Sequence, residues 1–322
     1  MSTSFRAKTL IAPDKRQLRA GFWDLPEGVA PRGMCLLLHG MTEFLEKYGE
    51  TADELRARGF LVVSLDWRSQ GASERHRSGN RAGHVGSFDE YDSDMAAAAI
   101  QVEAIQRERA AQGLAQLPVV VLAHSMGAHI LLRFLREHPR RFQCAVLTAP
   151  MFGIDTRPYS PQYTKWVTFL LNLRKPSPRL IFTVEDRDPL TFPFEGNPVT
   201  SDRARYERNR EYLKVQPFLR IFGPTFGWLG AASQSINKMM SVGYAEAITT
   251  PLLIIGAGRD KLVGNAATRE FVKRLPNATY VEFEDSEHEI LMENDQIRAR
   301  FWSEFDAFVN AMLNAPARAF GR

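Results

Sequence analysis

Short apolar runs alternate with longer amphipathic stretches from residue 33 to about residue 150, and again from about residue 250 onward. Most of the apolar runs are bounded by Gly or Pro and lack a polar face, which is typical of parallel strands buried on both sides. We predict strands at 33–39, 60–66, 117–124, 144–150, 251–258 and 278–284. We predict helices at 45–58, 88–112, 127–138, 265–274 and 295–313. This order predicts an α/β fold in which helices flank a mostly parallel sheet.

The alternation of strands and helices stops between residues 151 and 244. This segment is rich in Pro, aromatic residues and Arg, and it holds one amphipathic helix candidate, at 201–215. We interpret it as an insertion rather than a second sheet. The prediction is therefore one discontinuous core domain, built from 1–150 and 245–322, with 151–244 forming a lid. The first 32 residues are less periodic and are expected to add one or two antiparallel edge strands.

Composition and charge narrow the function classes. The formal net charge of +4 is spread along the chain, which argues against nucleic-acid binding. No stretch matches a signal peptide or the roughly 18 apolar residues of a membrane span, so a cytoplasmic protein is expected. Cys35 and Cys144 lie in predicted interior strands and are expected to be buried free thiols. No metal or organic cofactor is expected, because no ligand cluster and no Gly-rich phosphate loop is present.

The strongest chemical signal is the sequence Ala-His-Ser-Met-Gly at 123–127. It joins a buried strand directly to a predicted helix, with a small residue two positions before and after Ser125. Such a sharp turn needs small neighbours, because adjacent backbone must pass close by. It exposes the serine hydroxyl above the carboxyl edge of the sheet, next to the free N–H groups of the helix. Ser125 is therefore the predicted nucleophile.

A serine needs a base and an orienting acid, and in this type of fold both follow later in the chain, the acid first. Asp260 comes just after the strand at 251–258, and His288 comes just after the strand at 278–284. The other six histidines precede Ser125 or adjoin other motifs or the following helix. Asp285 and Glu287 are near His288 in sequence only. We therefore predict the triad Ser125, Asp260 and His288, with His288 as the general base.

The loop after the first strongly apolar strand is expected to complete an oxyanion hole. We assign the backbone N–H groups of Met41 and Met126 to it. His39 is interpreted mainly as a brace for this loop. His39 and Gly40 are also retained as candidate substrate contacts.

With these residues identified, the chain resembles the bacterial lysophospholipase and monoacylglycerol lipase branch of the α/β-hydrolases. The resemblance rests on H-G-x-x-E-x-x-x-K-Y at 39–48, D-x-R-x-x-G-x-S at 66–73, the turn at 123–127, the spaced Phe88, Tyr91 and Asp94, and the contexts of Asp260 and His288. Where the family usually has R-G-x-G, this chain has Arg-Ser-Gln-Gly at 68–71. The resemblance implies an α/β-hydrolase fold with a helical lid inserted after the sixth core strand. It also implies cleavage of a carboxylic ester, with a monoacylated lipid as the expected substrate.

Within the insertion, residues 157–182 carry five basic residues, no acidic residue and a cluster of apolar side chains that includes Trp166 and Phe169. One interpretation is a lid helix that packs its apolar side over the active site, and Trp166 and Phe169 are then candidate substrate contacts. The other is an interfacial element that binds lipid. That interpretation predicts peripheral contact with the inner membrane surface.

The same scaffold supports other reactions. Removal of an N-terminal proline is one alternative, because Glu185, Asp186 and Asp188 could bind a free amine. Hydrolysis of a small ester, a thioester or a carbon–carbon bond and perhydrolysis also remain open. Epoxide or haloalkane opening by the usual route is disfavoured, because position 125 is Ser and not Asp. A non-enzymatic binding protein is disfavoured by the complete triad. The sequence carries no signal for an oligomeric state.

Overall fold

A computed structural model describes residues 5–76, 81–156, 159–181 and 188–314. In these residues the main sheet has eight strands: β1 Arg6–Ile11, β2 Gln17–Trp23, β3 Gly33–Leu38, β4 Phe60–Leu65, β5 Val119–His124, β6 Cys144–Thr148, β7 Leu252–Ala257 and β8 Ala278–Phe283. Their order across the sheet is β1-β2-β4-β3-β5-β6-β7-β8. The neighbours from β4 to β8 pair in parallel, whereas β2 is antiparallel to both β1 and β4. The mostly parallel sheet and its antiparallel edge are confirmed.

The described residues also form eight α-helices, and all but two, both within the insertion, lie close to predicted positions. They are α1 Gly49–Ala57, α2 Asp89–Ala111, α3 Ser125–Glu137, α4 Pro161–Leu171, α5 Arg203–Val215, α6 Phe226–Met239, α7 Asn265–Val272 and α8 Asp295–Asn314. A 3-10 turn at Leu45–Tyr48 precedes α1, so the predicted helix at 45–58 is two elements. Helix α3 begins at Ser125 rather than at 127, because the strand turns into the helix at the serine itself. No helix in the described ranges is long and apolar enough to cross a bilayer.

Two apolar clusters cover the two faces of the sheet. On β3, Leu36 and Leu38 point to the cluster that contains α2, α3 and α7. Cys35 and Leu37 point to the opposite cluster, with α1 and α8. Both sets of side chains are buried, which explains why the central strands are apolar at successive positions. Cys35 and Cys144 are buried free cysteines, as predicted.

Between β6 and β7 the described residues add no strand to the main sheet. The insertion instead contributes α4, α5 and α6, and the predicted helix at 201–215 is found as α5. Helix α6 packs into the same apolar cluster as α2 and α3 through Trp228, Leu229 and Ala232. Residues Gly223–Pro224 pair in parallel with Ala82–Gly83, a two-residue contact that the sequence did not predict. That the insertion acts as a lid remains a prediction.

Candidate active site

Ser125 occupies the sharp junction between β5 and α3. Its φ angle is +51°, in the left-handed region that residues other than Gly rarely adopt. Gly127 lets the backbone of β3 pass close by: a Cβ atom at 127 would lie 2.5 Å from the carbonyl oxygen of His39. Ala123, where the usual pattern has Gly, is completely buried in β5. The predicted strained turn with small neighbours is present.

The structure brings the three predicted triad side chains together. His288 Nε2 lies 2.9 Å from Ser125 Oγ, and His288 Nδ1 lies 2.6 Å from Asp260 Oδ2. Asp260 Oδ1 accepts hydrogen bonds from the backbone N–H groups of Leu262 and Val263, at 2.8 and 2.9 Å. The carboxylate is therefore fixed by its own loop and aimed at the imidazole. Its other oxygen is left to orient His288.

Electrostatics favour a charged imidazole opposite an ionised aspartate. Burial alone would lower the pKa of His288, but the Asp260 carboxylate outweighs burial, and the pKa is raised. Burial would likewise raise the pKa of Asp260, but His288 and the backbone N–H bonds lower it overall. A proton that leaves Ser125 can therefore be held on His288 while Asp260 stays ionised.

Other titratable groups near His288 have different partners. Asp285 pairs with Arg259 at 3.0 Å, and Glu287 lies 3.5 Å from Lys261. The ring of His124 lies 4.8 Å from the ring of His288, centroid to centroid. Burial lowers the pKa of His124 to about 3, so it is neutral at ordinary pH. Among the described carboxylates near His288 in sequence, none replaces Asp260.

The loop after β3, residues 39–44 and here called the β3 loop, passes beside Ser125. A Cβ atom on Gly40 would lie 3.2 Å from the Cβ of Ser125, and its N–H donates to Glu43. Thr42 has a φ of +65°, and its N–H donates to Gln70 Oε1 at 2.5 Å. In the described part of the chain, the N–H of Met41 between them has no acceptor. The N–H of Met126 lies in the first turn of α3, where no intrahelical acceptor exists.

The four predicted substrate contacts lie in different environments. His39 is completely buried, and its Nδ1 is 2.8 Å from the carbonyl oxygen of Gly40. The indole N–H of Trp67 donates to the carbonyl oxygen of His39 at 2.8 Å. These contacts are consistent with His39 as a brace for the β3 loop. The imidazole ring of His39 has no exposed surface for contact with a substrate. Trp166 and Phe169 on α4 are 60% and 63% exposed. Their contact with substrate, like that of Gly40, stays a prediction.

Two groups around the β3 loop were not assigned a role from the sequence. Glu43, Lys47 and Glu289 form a buried ionic cluster behind the loop. Asp66 accepts from Leu45 N–H at 3.0 Å and Ala72 N–H at 2.8 Å, and its side chain is fully buried. For Glu43, Lys47 and Asp66 the available signal was the density of charged residues in the motifs at 39–48 and 66–73, whereas Glu289 lies outside both motifs.

The motif at 66–73 contains the departure from the R-G-x-G pattern, and no contact among the described residues explains it. Ser69 stands where the family usually has Gly, and its φ is +62°, a conformation that favours Gly. The next residue, Gln70, is the one that accepts from Thr42 in the β3 loop. Gly71 must be Gly, because a Cβ there would lie 2.0 Å from the Asp66 carboxyl carbon.

Comparison with known proteins gives consistent matches over most of the chain. A family model described as "Serine aminopeptidase, S33" matches residues 29–295. Lysophospholipase L2 of Escherichia coli (strain K12) is 30% identical over 279 residues, covering 83% of this chain and 77% of that protein. Monoacylglycerol lipase of Mycolicibacterium smegmatis is 26% identical over 254 residues, or 76% of each chain.

A solved structure with the same fold is a soluble variant of monoglyceride lipase from Saccharomyces cerevisiae in complex with a substrate analog. It has a TM-score of 0.75 at 19% identity, and the match covers 97% of this chain and 96% of that one. This likeness confirms the fold that the sequence motifs implied.

Proposed function

Because the chain belongs to the serine aminopeptidase S33 family of α/β-hydrolases, in its branch of lysophospholipase-like and monoacylglycerol lipase-like ester hydrolases, we propose that it cleaves monoacylated glycerolipids through an acyl-enzyme on Ser125. The observation that carries this proposal is the continuous chain of hydrogen bonds from Ser125 through His288 to Asp260. It links a nucleophile, a base and an orienting acid with the spacing that acyl transfer requires.

The reaction proceeds in two halves. Ser125 Oγ attacks the ester carbonyl carbon while its proton moves to His288 Nε2, and Asp260 stabilises the imidazolium. The carbonyl oxygen becomes an oxyanion held by the N–H groups of Met41 and Met126. Collapse breaks the bond to the glycerol oxygen, which leaves with the proton from His288. Water, activated by the same histidine, then releases the fatty acid and restores Ser125.

A lipid substrate is supported by the surface of the insertion as well as by the family. Helix α4 and its flanks expose a cluster of large apolar side chains, namely Tyr159, Tyr163, Trp166, Phe169, Leu170 and Leu173. Arg174 and Lys175 follow directly in the sequence and are exposed. Aromatic and aliphatic side chains next to cations suit the boundary of an anionic bilayer. We propose that this surface, the α4 patch, brings the enzyme to membranes that contain its substrate.

Amide cleavage is the second candidate, because the matching family model is described as an aminopeptidase. An aminopeptidase needs a free carboxylate to bind the substrate amine. Asp188 is paired with Arg220 and also accepts from the N–H of Leu190, so its carboxylate is already occupied. Glu185 and Asp186 lie outside the described residues. Of these three carboxylates only Asp188 can thus be judged, and ester cleavage is preferred because the relatives of this chain include a lysophospholipase and a monoacylglycerol lipase.

The test is turnover of a matched substrate panel by the purified protein. The panel contains monoacylglycerols, lysophosphatidylcholine, diacyl lipids, p-nitrophenyl esters of increasing acyl length and proline amides. We expect turnover of the monoacylated lipids and the p-nitrophenyl esters. We expect Ser125→Ala to abolish it, whereas Ser241→Ala, which removes an exposed hydroxyl, leaves it unchanged. Ester turnover that survives Ser125→Ala would refute the mechanism. Turnover of proline amides alone would replace the lipase assignment with the peptidase one.

A further inference from the structure

We propose that Glu43, Lys47 and Glu289 are positioning residues. They hold the β3 loop and the loop that carries His288 at a fixed position relative to each other. The loop with His288 spans residues 284–292 and is here called the histidine loop. The inference rests on the proposed function, since it assigns the β3 loop to the oxyanion hole and His288 to proton transfer. It adds a physical link between these two parts of the site.

The first half of the link joins Glu43 to the β3 loop. One carboxylate oxygen of Glu43 accepts from the N–H of Gly40 and from the hydroxyl of Tyr48, the latter at 2.9 Å. Gly40 is enclosed between this carboxylate and Ser125: a Cβ atom at position 40 would lie 2.8 Å from Glu43 Oε2 and 3.2 Å from Ser125 Cβ. A displacement of Glu43 would therefore shift Gly40, and with it the peptide group that carries the N–H of Met41.

The second half joins Lys47 to the histidine loop. Lys47 Nζ lies 2.6 Å from Glu43 Oε1 and 2.6 Å from Glu289 Oε1. Glu289 is the residue after His288, so the ammonium group bridges the two loops. The backbone of Glu289 is held from the other side as well, because its N–H donates to the carbonyl oxygen of Val199 in the insertion at 2.7 Å.

Burial makes this bridge rigid. The side chains of Glu43, Lys47 and Glu289 are 3%, 8% and 11% exposed. Burial would raise the pKa of Glu43, but Lys47 keeps it below the ordinary value, so this carboxylate is ionised beside the ammonium group. Charges removed from water keep their partners, because an unpaired charge in the interior is very unfavourable. Separation of the β3 loop from the histidine loop would therefore either expose one of these charges to water or leave it buried without a partner.

The cluster acts through other residues rather than on the substrate. In the described part of the chain, none of its three side chains hydrogen-bonds to Ser125 or to His288. Its effect is to set the distance between the oxyanion donor at Met41 and the base at His288. Misplacement of reacting groups by about 1 Å can lower a rate roughly 100-fold. Loss of the cluster should therefore reduce kcat more than it changes KM.

The test uses a paired substitution that removes one charge of each sign. Lys47→Met alone leaves two buried carboxylates without a cation and is expected to destabilise the fold severely. Glu43→Gln combined with Lys47→Met keeps the side-chain volumes similar. It is expected to fold, because burial already raises the pKa of the remaining carboxylate, Glu289, which can take up a proton when the cation is removed. Lys47→Arg preserves the cation and serves as the rescue variant. The matched control is Arg133→Met with Asp92→Asn, an ion pair between α3 and α2 in which Arg133 is 7% exposed and Asp92 39%.

The measurement is hydrolysis of p-nitrophenyl butyrate, with active sites counted by covalent labelling with a fluorophosphonate. We expect kcat per labelled site to fall about 10- to 100-fold in the Glu43/Lys47 double variant, with KM nearly unchanged. We expect Lys47→Arg to recover most of the rate, and the control pair to keep it. A merely structural role would lower the number of labelled sites or the melting temperature, but not kcat per site.

Two results would overturn the inference: kcat per site in the double variant equal to that of the unmodified protein, or an equal loss in the control pair. Failure of the proposed function is distinguishable, because the unmodified protein would then leave the monoacylated lipids intact, whereas the inference is judged from kcat per labelled site on p-nitrophenyl butyrate.

Discussion

Gly127 packs directly against the backbone of His39, so that a Cβ atom at 127 would lie 2.5 Å from the His39 carbonyl oxygen and 2.8 Å from that of Leu38. Both neighbours are backbone atoms at the end of β3, and they can move only if the β3 loop moves. We expect Gly127→Ala to cost about 1–3 kcal/mol of stability through overpacking and to lower kcat. The measurements are the urea unfolding midpoint and ester turnover.

The control for this change is Gly153→Ala. A Cβ atom at 153 would meet only Ala267, at an ordinary contact distance of 3.4 Å. We expect both stability and kcat to remain close to those of the unmodified protein. An equal effect at both positions would contradict the role assigned to the close approach at Gly127.

Asp260→Asn should change the pH dependence as well as the rate. Burial alone would lower the pKa of His288, and Asp260 raises it above the ordinary value of about 6.5. His288 must be neutral to accept the proton, so kcat/KM should rise with pH through a midpoint above that value. Without the carboxylate, we expect the midpoint to move to lower pH and kcat to fall about 10⁴-fold.

Asp285→Asn is the matched control for this profile. Asp285 is closer to His288 in sequence than Asp260 is, but its side chain is 82% exposed and pairs with Arg259. Removal of this charge should leave both the midpoint of the kcat/KM pH profile and kcat unchanged. The assignment of Asp260 fails if Asp285→Asn shifts the acid limb and Asp260→Asn does not.

The α4 patch predicts a specific effect on membrane binding. Full burial of a large apolar side chain contributes roughly 1.5–3 kcal/mol, so Trp166→Ser with Phe169→Ser should weaken vesicle binding at least about tenfold. The measurement is co-sedimentation with vesicles of anionic phospholipid, together with turnover of a water-soluble short-chain ester. We expect turnover of the soluble ester to persist, because the triad is untouched.

Val242→Ser provides the comparison for the α4 patch. Val242 is 96% exposed and lies outside α4, between α6 and β7. Vesicle binding should be unchanged by this substitution. Equal losses of vesicle binding from Val242→Ser and from the Trp166/Phe169 double variant would indicate non-specific adsorption of exposed apolar side chains rather than a membrane-binding face.

The two thiols should be inert in the native state. Burial raises the pKa of Cys144 to about 12 and raises that of Cys35 as well, so neither forms the reactive thiolate at neutral pH. We expect no reaction with Ellman's reagent in the native protein and two reactive thiols in urea. Rapid reaction of either cysteine under native conditions would show that one apolar layer opens.

Local sequence was sufficient to predict the strands and the order of the triad. A buried strand followed by Ser125 between small residues has a direct steric meaning, and Asp260 and His288 each follow a strand at the same edge of the sheet. The contact between Lys47 and Glu289 could not be predicted in this way, because 242 residues separate them and a lysine beside a glutamate usually indicates a solvated surface. Burial of those charges depends on how the loops meet in three dimensions.

The insertion was harder to interpret for a related reason. Its apolar residues are consistent with either a covered or an exposed helix face, and the sequence does not state which side of α4 meets α6. The structure leaves Trp166 and Phe169 largely exposed, so packing against the rest of the insertion does not account for them. The pairing of Gly223–Pro224 with Ala82–Gly83 was missed because two residues give no recognisable strand pattern.

The hydrogen bond between Ser125 and His288 spans 163 positions of the chain. The serine turn is made from contiguous sequence, whereas its base lies in the loop that follows β8, the strand at the edge of the sheet opposite β1. A ribosome-bound or truncated chain that ends before β8 would therefore present the hydroxyl without the means to activate it. Contacts of such long range also form late and slowly. The rate at which fluorophosphonate reactivity returns during refolding can therefore report how fast the complete sheet forms.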